Sequence, residues 1–269
     1  MSRRYELPPD LTLRVTASSG DVTVIAEERA DVEAPDAAEV RSHGGEEPGE
    51  RPSRRRRHKK ALHRFLHKLA GVAPHHEAAP GPVLEMRAAR GGSSDIVVRC
   101  PSGTPISVGT ISGDVNLEGS FGDTSVATTS GHVTIDRATA LDVRSVSGHL
   151  QVGGCSGRCR LHTKSGHISV GEAGRAEAAT VSGSVRLDKT TGAVTVRTVS
   201  GSVELETEGT EPVSVRTVSG RTVVKVAGEK LPDAKLRTLS GKVACDCPPG
   251  SDFPLEVSSI SGGIEVGPT

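Results

Sequence analysis

Three histidines hold one position of a repeated pattern. His132, His149 and His167 each follow a Ser-Gly dipeptide, at successive spacings of 17 and 18 residues. If the repeats stack, the imidazoles form a column able to bind a soft divalent ion or to titrate together. Elsewhere the same position holds Asp114, Ser184, Ser202, Arg221, Lys242 and Gly263, the mixture expected of an exposed corner, and no carboxylate is evident to orient the rings. The corner reading is preferred, and no metal or other cofactor is expected. The five cysteines form no C-x-x-C pair and no strong zinc spacing. Cys159 and Cys245 fall at apolar positions of the repeat and read as core. Spacing singles out no Ser-His-Asp arrangement, P-loop or dinucleotide fingerprint. One Tyr, three Phe and no Trp leave no stacking platforms for a sugar-cleaving site. The chain is therefore expected not to be an enzyme.

Positive charge offers other candidates. Arg197, Arg216 and Arg237 share an outward position just before a repeated threonine, with Lys235 beside them and Arg144 further up. Stacked, Arg197, Arg216, Lys235 and Arg237 make one cationic patch over three repeats, suited to a repetitive anionic surface or an acidic partner. A second concentration lies in Arg51–Lys68, which holds nine Lys or Arg and no acid. Arg54, Arg55, Arg56, Arg57, Lys59 and Lys60 are its densest part, followed by Leu62, Phe65, Leu66 and Leu69 at helical spacing, with Ser53 and Gly71 as cap residues. This predicts a short basic amphipathic helix making weak contact with a membrane surface or polyanion. The competing reading is an insertion neutralised by its own acidic half, Glu27–Glu50, which holds nine acids and two arginines. Lys+Arg and Asp+Glu are both 33, so overall charge forces no partner, and no specific nucleic acid is expected.

The elements that position these residues follow from the repeat. Ser-Gly recurs with glycines at 113, 131, 148, 166, 183, 201, 220, 241 and 262, and two residues before each serine stands Thr or Ser. Alternating apolar residues flank the dipeptide, such as Val194 and Val196 before it and Val203 and Leu205 after it. Period-2 alternation means a strand with one buried face. Each repeat is then strand, bend, strand, loop, and two short strands must stack on their neighbours to be stable. The expected fold is an all-β, single-stranded parallel β-solenoid with about nine rungs of 17–21 residues, wound right-handed. Its Ser and Thr positions become hydroxyl ladders that satisfy one another and the bend. Residues 1–26 read as an N-terminal cap or first rung, 27–82 as a charged low-complexity insertion whose removal leaves the rod folded, and 83–269 as the repeat domain.

The [ST]-x-S-G-x-V-x-V rungs from Ile106 to Val266, with the opening "LPPDLTLRV…SGDVTV", resemble the bacterial putative-adhesin family of β-strand repeats. That resemblance implies a β-solenoid and no established catalytic residues. Most corners of the family read Gly-Asp, whereas here Asp persists only at Asp21 and Asp114. The leading functional reading is a non-enzymatic scaffold or binding module recognising a protein or an anionic surface. Second is a self-assembling rod, which Pro8, Pro9, Pro248, Pro249, Pro254 and Pro268 near the chain ends would discourage. Third is an enzyme acting on a polymer at a solenoid face. The start lacks an apolar signal region and no stretch approaches a membrane span, so the cytoplasm is the expected location.

Overall fold

The computed structural model describes residues 2–6, 11–35, 38–43, 83–88, 95–227, 232–246 and 252–268. Every regular element among them is a β-strand, and the strands join into one continuous, largely parallel sheet system. The basic helix expected after Ser53 lies outside the described residues, as do Arg54–Arg57, Lys59 and Lys60.

The alternation in sequence becomes a stack in register. Val194–Ser200 pairs in parallel with Val213–Ser219, setting Val194 on Val213, Val196 on Val215 and Thr198 on Thr217. Across the bend, Val203–Thr207 pairs with Thr222–Val226, setting Leu205 on Val224. The inward residues Val194, Val196, Val203, Leu205, Val213 and Val215 are all buried to within 1%. This thin interior of Val, Leu, Ile and Ala runs the length of the stack, which is how the chain folds with so few aromatic residues. The repeated Thr does not form the continuous hydroxyl ladder expected. In some rungs it closes its own bend, the hydroxyls of Thr110, Thr180 and Thr198 are buried without a partner among the described residues, and Thr238 donates across rungs to the Gly262 carbonyl. Thr128, Thr163 and Thr217 donate through Oγ1 to the carbonyls of Ser130, Ser165 and Ser219, two residues on. Ser130 and Ser147 make the link between rungs, donating to the Ile111 and Thr129 carbonyls.

Order in the chain is not order in the stack. The rung Thr12–Thr16 and Val22–Glu27 is second, not first: Leu13 sits between Leu84 and Ile106, and Val22 between Ile96 and Val115. The same happens at the other terminus. Phe253–Ser261 and Ile264–Pro268 slide between the rung 213–226 and the rung 232–245. Each terminal rung thereby gains a paired neighbour on both edges.

The two outer rungs that result are finished differently. Val83–Ala88 is paired antiparallel by Ala38–His43, and Asp31–Pro35 lies between Ser2–Glu6 and the outer strand Ile96–Pro101. Residues 31–43, read from sequence as part of a charged insertion, thus supply two strands, and Val32 and Ala34 are fully buried. His43 lies directly opposite Val83. A short Gly/Ser linker in place of residues 44–82 should therefore leave the unfolding transition unchanged. Extending the deletion back to Glu27 removes Val32 and Ala34 and should lower stability by about 3 kcal/mol. Urea denaturation of the two variants measures the difference, and equal midpoints would show that 31–43 contributes nothing.

Candidate functional site

The corner that carries the histidines is built as a chain of accepted hydrogen bonds. The Asp21 amide donates to Asp95 Oδ1 (3.0 Å), the Asp114 amide to Asp21 Oδ1 (2.8 Å) and the His132 amide to Asp114 Oδ1 (2.7 Å). The pattern continues with imidazole in place of carboxylate. His149 donates to His132 Nδ1 (3.3 Å), His167 to His149 Nδ1 (3.2 Å) and Ser184 to His167 Nδ1 (3.1 Å). Asp and His therefore do one job here: each reaches along the stack and accepts the next rung's amide. That shared role explains how His can stand where related corners carry Asp.

The rings stack at centroid distances of 5.0 and 4.8 Å, inclined by 9° and 12°. Because Nδ1 accepts, the hydrogen of the neutral ring sits on Nε2. A metal at Nε2 would demand the other tautomer, with Nδ1–H aimed at an amide N–H. Near-parallel rings also point their Nε2 atoms alike rather than toward a shared centre. Among the described residues, no group of three or more His, Cys, Asp or Glu is placed to hold a metal ion. His149→Ala should cost about 1 kcal/mol, and His149→Asn, which keeps an acceptor, should recover most of it. Thermal melts of both variants test this, and identical losses would show that acceptance plays no part.

The cysteines separate by depth. Cys100 is buried, and that burial pushes its thiol up to about 11. Cys155 and Cys159 are buried together at the far corner of one rung; the hydrogen bond that the Cys159 thiol donates to Cys155, and then burial, hold the Cys159 thiol far above its usual range. Cys245 corrects the sequence expectation. It occupies an inward position, in register with Val266, yet it is exposed because its rung is the outermost. A groove of about 420 Å³ runs over the far corner, lined by Arg137, Cys155, Glu172 and Lys189 among others. It carries both signs of charge and selects no one ligand.

The arginine column is brought together, with one interruption. Arg197 lies beside Arg216, but Ser258 of the intercalated rung separates Arg216 from Arg237. The patch therefore spans four rungs rather than three. Lys235 stands beside Glu256 in register and pairs with Asp233 at 3.8 Å. Arg144 is taken by Asp142 at 2.9 Å. Some other outward cations are paired, Arg160 with Glu177, Arg186 with Asp188 and Lys189 with Glu208, whereas, among the described residues, Arg137, Arg158, Lys164 and Arg175 form no ion pair. Among the described residues, Arg197, Arg216 and Arg237 form no ion pair.

Beside this column runs a feature that the reading of charges missed. Val181, Val199, Val218, Ile260 and Leu239 occupy one position in five adjacent rungs, and all are exposed, Leu239 by 84%. They are five of the seven exposed large hydrophobic residues among those described. The signal was present in the sequence: the residue between Thr and Ser of each bend points outward, yet from Val181 onward it is always Val, Leu or Ile. Two residues away on the same strand face, the arginines border it.

The family model described as Toastrack DUF4097 matches residues 83–268. No curated protein matches the sequence. Among solved structures, the chain is similar to a putative adhesin from Bacteroides fragilis, at 12% identity and a TM-score of 0.43, covering 100% of this chain and 96% of that one. It is also similar to a putative cell adhesion protein from Clostridium sporogenes, at 9% identity and a TM-score of 0.22, covering 100% and 99%.

Proposed function

The chain belongs to the Toastrack DUF4097 family, a domain family of unknown function, and on that premise we propose that it is an adhesin-like, non-enzymatic binding module for an anionic partner or surface. The observation that carries this reading is the face on which Arg197, Arg216 and Arg237 lack ion pairs among the described residues while bordering a five-rung apolar column. Regular strands hold these groups at a repeat of about 4.8 Å per rung, so the spacing of charge is rigid. Such a surface suits a ligand whose own acidic groups recur, and its apolar border adds contact area that survives salt screening. Arg54–Arg57, Lys59 and Lys60 supply a second cationic segment for the same class of ligand.

An exposed charged contact contributes about 0–1 kcal/mol alone, so recognition needs several together. The triple variant Arg197→Ser, Arg216→Ser, Arg237→Ser should retain its melting temperature and recover no specific acidic partner from extract. Equal recovery by wild type and variant would make this face an ordinary solvated surface. Anionic vesicles offered to the triple variant and to an Arg54–Arg57 alanine variant show which cationic segment meets a membrane surface.

A further inference from the structure

The bend that carries the exposed apolar column is an outer corner of each rung, so Val181, Val199, Val218, Ile260 and Leu239 line a straight convex edge rather than a groove. Four steps of about 4.8 Å make that edge about 19 Å long. Cations flank it on both sides. Arg197, Arg216 and Arg237 lie two residues before the apolar residue of their bends, and Arg221 and Lys242 lie three residues after theirs, all five exposed. Arg221 pairs with Glu265, and among the described residues the other four form no ion pair. Lys164 continues the column on the rung beside Val181. No Asp or Glu stands at any of these flanking positions from Ala179 to Gly263. A contiguous apolar row rimmed in this way by charge of one sign marks a contact surface.

On the premise that this cationic face binds anionic ligands, we propose that its ligand is an anionic lipid bilayer, against which the edge lies lengthwise. The arginines and Lys242 meet lipid phosphates and carboxylates, while the aliphatic column settles between headgroups at the acyl boundary. Shape favours a bilayer over a folded acidic protein. A convex edge needs a matching groove in a rigid partner, whereas a fluid headgroup layer closes around it. Neither half of the surface suffices alone. Val181, Val199, Val218 and Ile260 are 41–52% exposed, so the row offers too little apolar area to hold the chain on a neutral bilayer. Exposed arginines without the apolar row would release as salt screens them. Together they select a membrane that carries negative charge.

The chain contains no Trp, so Leu239→Trp sets a single indole on the edge as a reporter. The replaced side chain is 84% exposed, so folding is retained, which a thermal melt checks. The Arg54–Arg57 alanine background removes the competing basic segment. Phosphatidylserine–phosphatidylcholine vesicles should then shift the reporter's emission to shorter wavelength, and brominated acyl chains should quench it. Pure phosphatidylcholine vesicles should bind about tenfold more weakly, or less still. Without the reporter, the triple change Val199→Ser, Val218→Ser, Ile260→Ser should weaken vesicle co-sedimentation about tenfold and leave binding to soluble polyglutamate unchanged. Co-sedimentation with an unmoved emission would place the membrane contact elsewhere and overturn the proposal, as would equal affinity for neutral vesicles. Polyglutamate held through Arg197, Arg216 and Arg237, by a chain whose reporter ignores vesicles, would make the partner an acidic protein and leave only the bilayer refuted. Failure of both ligands to bind would count against the cationic face altogether.

Discussion

Replacing Val203 with Asp should destabilise the solenoid by on the order of 5 kcal/mol. Val203 is 1% exposed and stacks between Val185 and Thr222, in the second strand of a central rung. The substitution forfeits about 2 kcal/mol of apolar burial. It also sets a carboxylate among Val185, Leu187 and Leu205, which offer no hydrogen bond. The buried Thr222 hydroxyl, unpartnered among the described residues and stacked on it, is a donor that offsets only part of a further cost of several kcal/mol, unless the group takes up a proton. Because each rung contacts only its neighbours, the damage should begin as local opening around 185–224 before the whole stack melts. Hydrogen exchange would locate that opening, and a urea titration would give its size. The neighbouring outward position provides the control: Glu204→Ala should change stability by less than about 1 kcal/mol, because its contacts with Lys225 and Arg186 are half-exposed ion pairs. An unchanged midpoint for Val203→Asp would mean that the inward and outward faces have been exchanged.

That register was legible in the sequence because the Ser-Gly bend marks it. Once one inward residue is placed, period-2 alternation places the others, and Val194, Val196, Val213, Val215, Leu255 and Val257 are all where alternation puts them. The order of the rungs at either terminus was not legible. A repeat pattern states which residues share a column but not which rung is the neighbour, and both outer rungs are displaced by segments that are distant or later in the chain. Only spacing hints at it: the last two Ser-Gly steps, from Gly220 to Gly241 and on to Gly262, are 21 residues each against 17 to 19 earlier. Those extra residues fit the detour of passing over one rung and returning beneath it.

The site shows the same division. Arg197, Arg216 and Arg237 were found from their common position, but the Ser258 between them follows from the intercalation and could not be. The strands at Asp31–Pro35 and Ala38–His43 were hidden by composition, since the stretch Glu27–Glu50 around them is rich in acids and each strand is short. The acceptor column was hidden by chemistry. Asp114, His132, His149 and His167 share one position of the repeat, but carboxylate and imidazole are chemically unlike, and the role they share with Asp95 and Asp21 emerges only once each is seen accepting the amide of the next rung.

Gly201→Ala is expected to be nearly as damaging as a buried charge, although it adds one methyl group at the surface. Gly201 holds φ at +151°, a conformation that glycine adopts freely and alanine resists. A Cβ built there would lie 1.8 Å from the Gly183 carbonyl oxygen and 2.6 Å from its carbon. Neither atom can withdraw cheaply. Gly183 and Gly201 donate through their amides to the Ser200 and Ser219 carbonyls, both at 3.0 Å, so parting the rungs at one corner stretches the ladder on either side. With strain and lost hydrogen bonding together, a cost of about 3–5 kcal/mol is expected. Gly109→Ala is the matched control, since a Cβ there meets nothing within 4 Å and no left-handed φ is required. That variant should lie within about 1 kcal/mol of wild type, because losing a glycine also restricts the unfolded chain. The two melts together separate a requirement for glycine at the bend from a general sensitivity to added methyls. Equal stability of the two variants would show that the corner yields to a side chain, and the recurrence of glycine at 113, 131, 148, 166, 183, 201, 220, 241 and 262 would then need a cause other than close stacking of the bends.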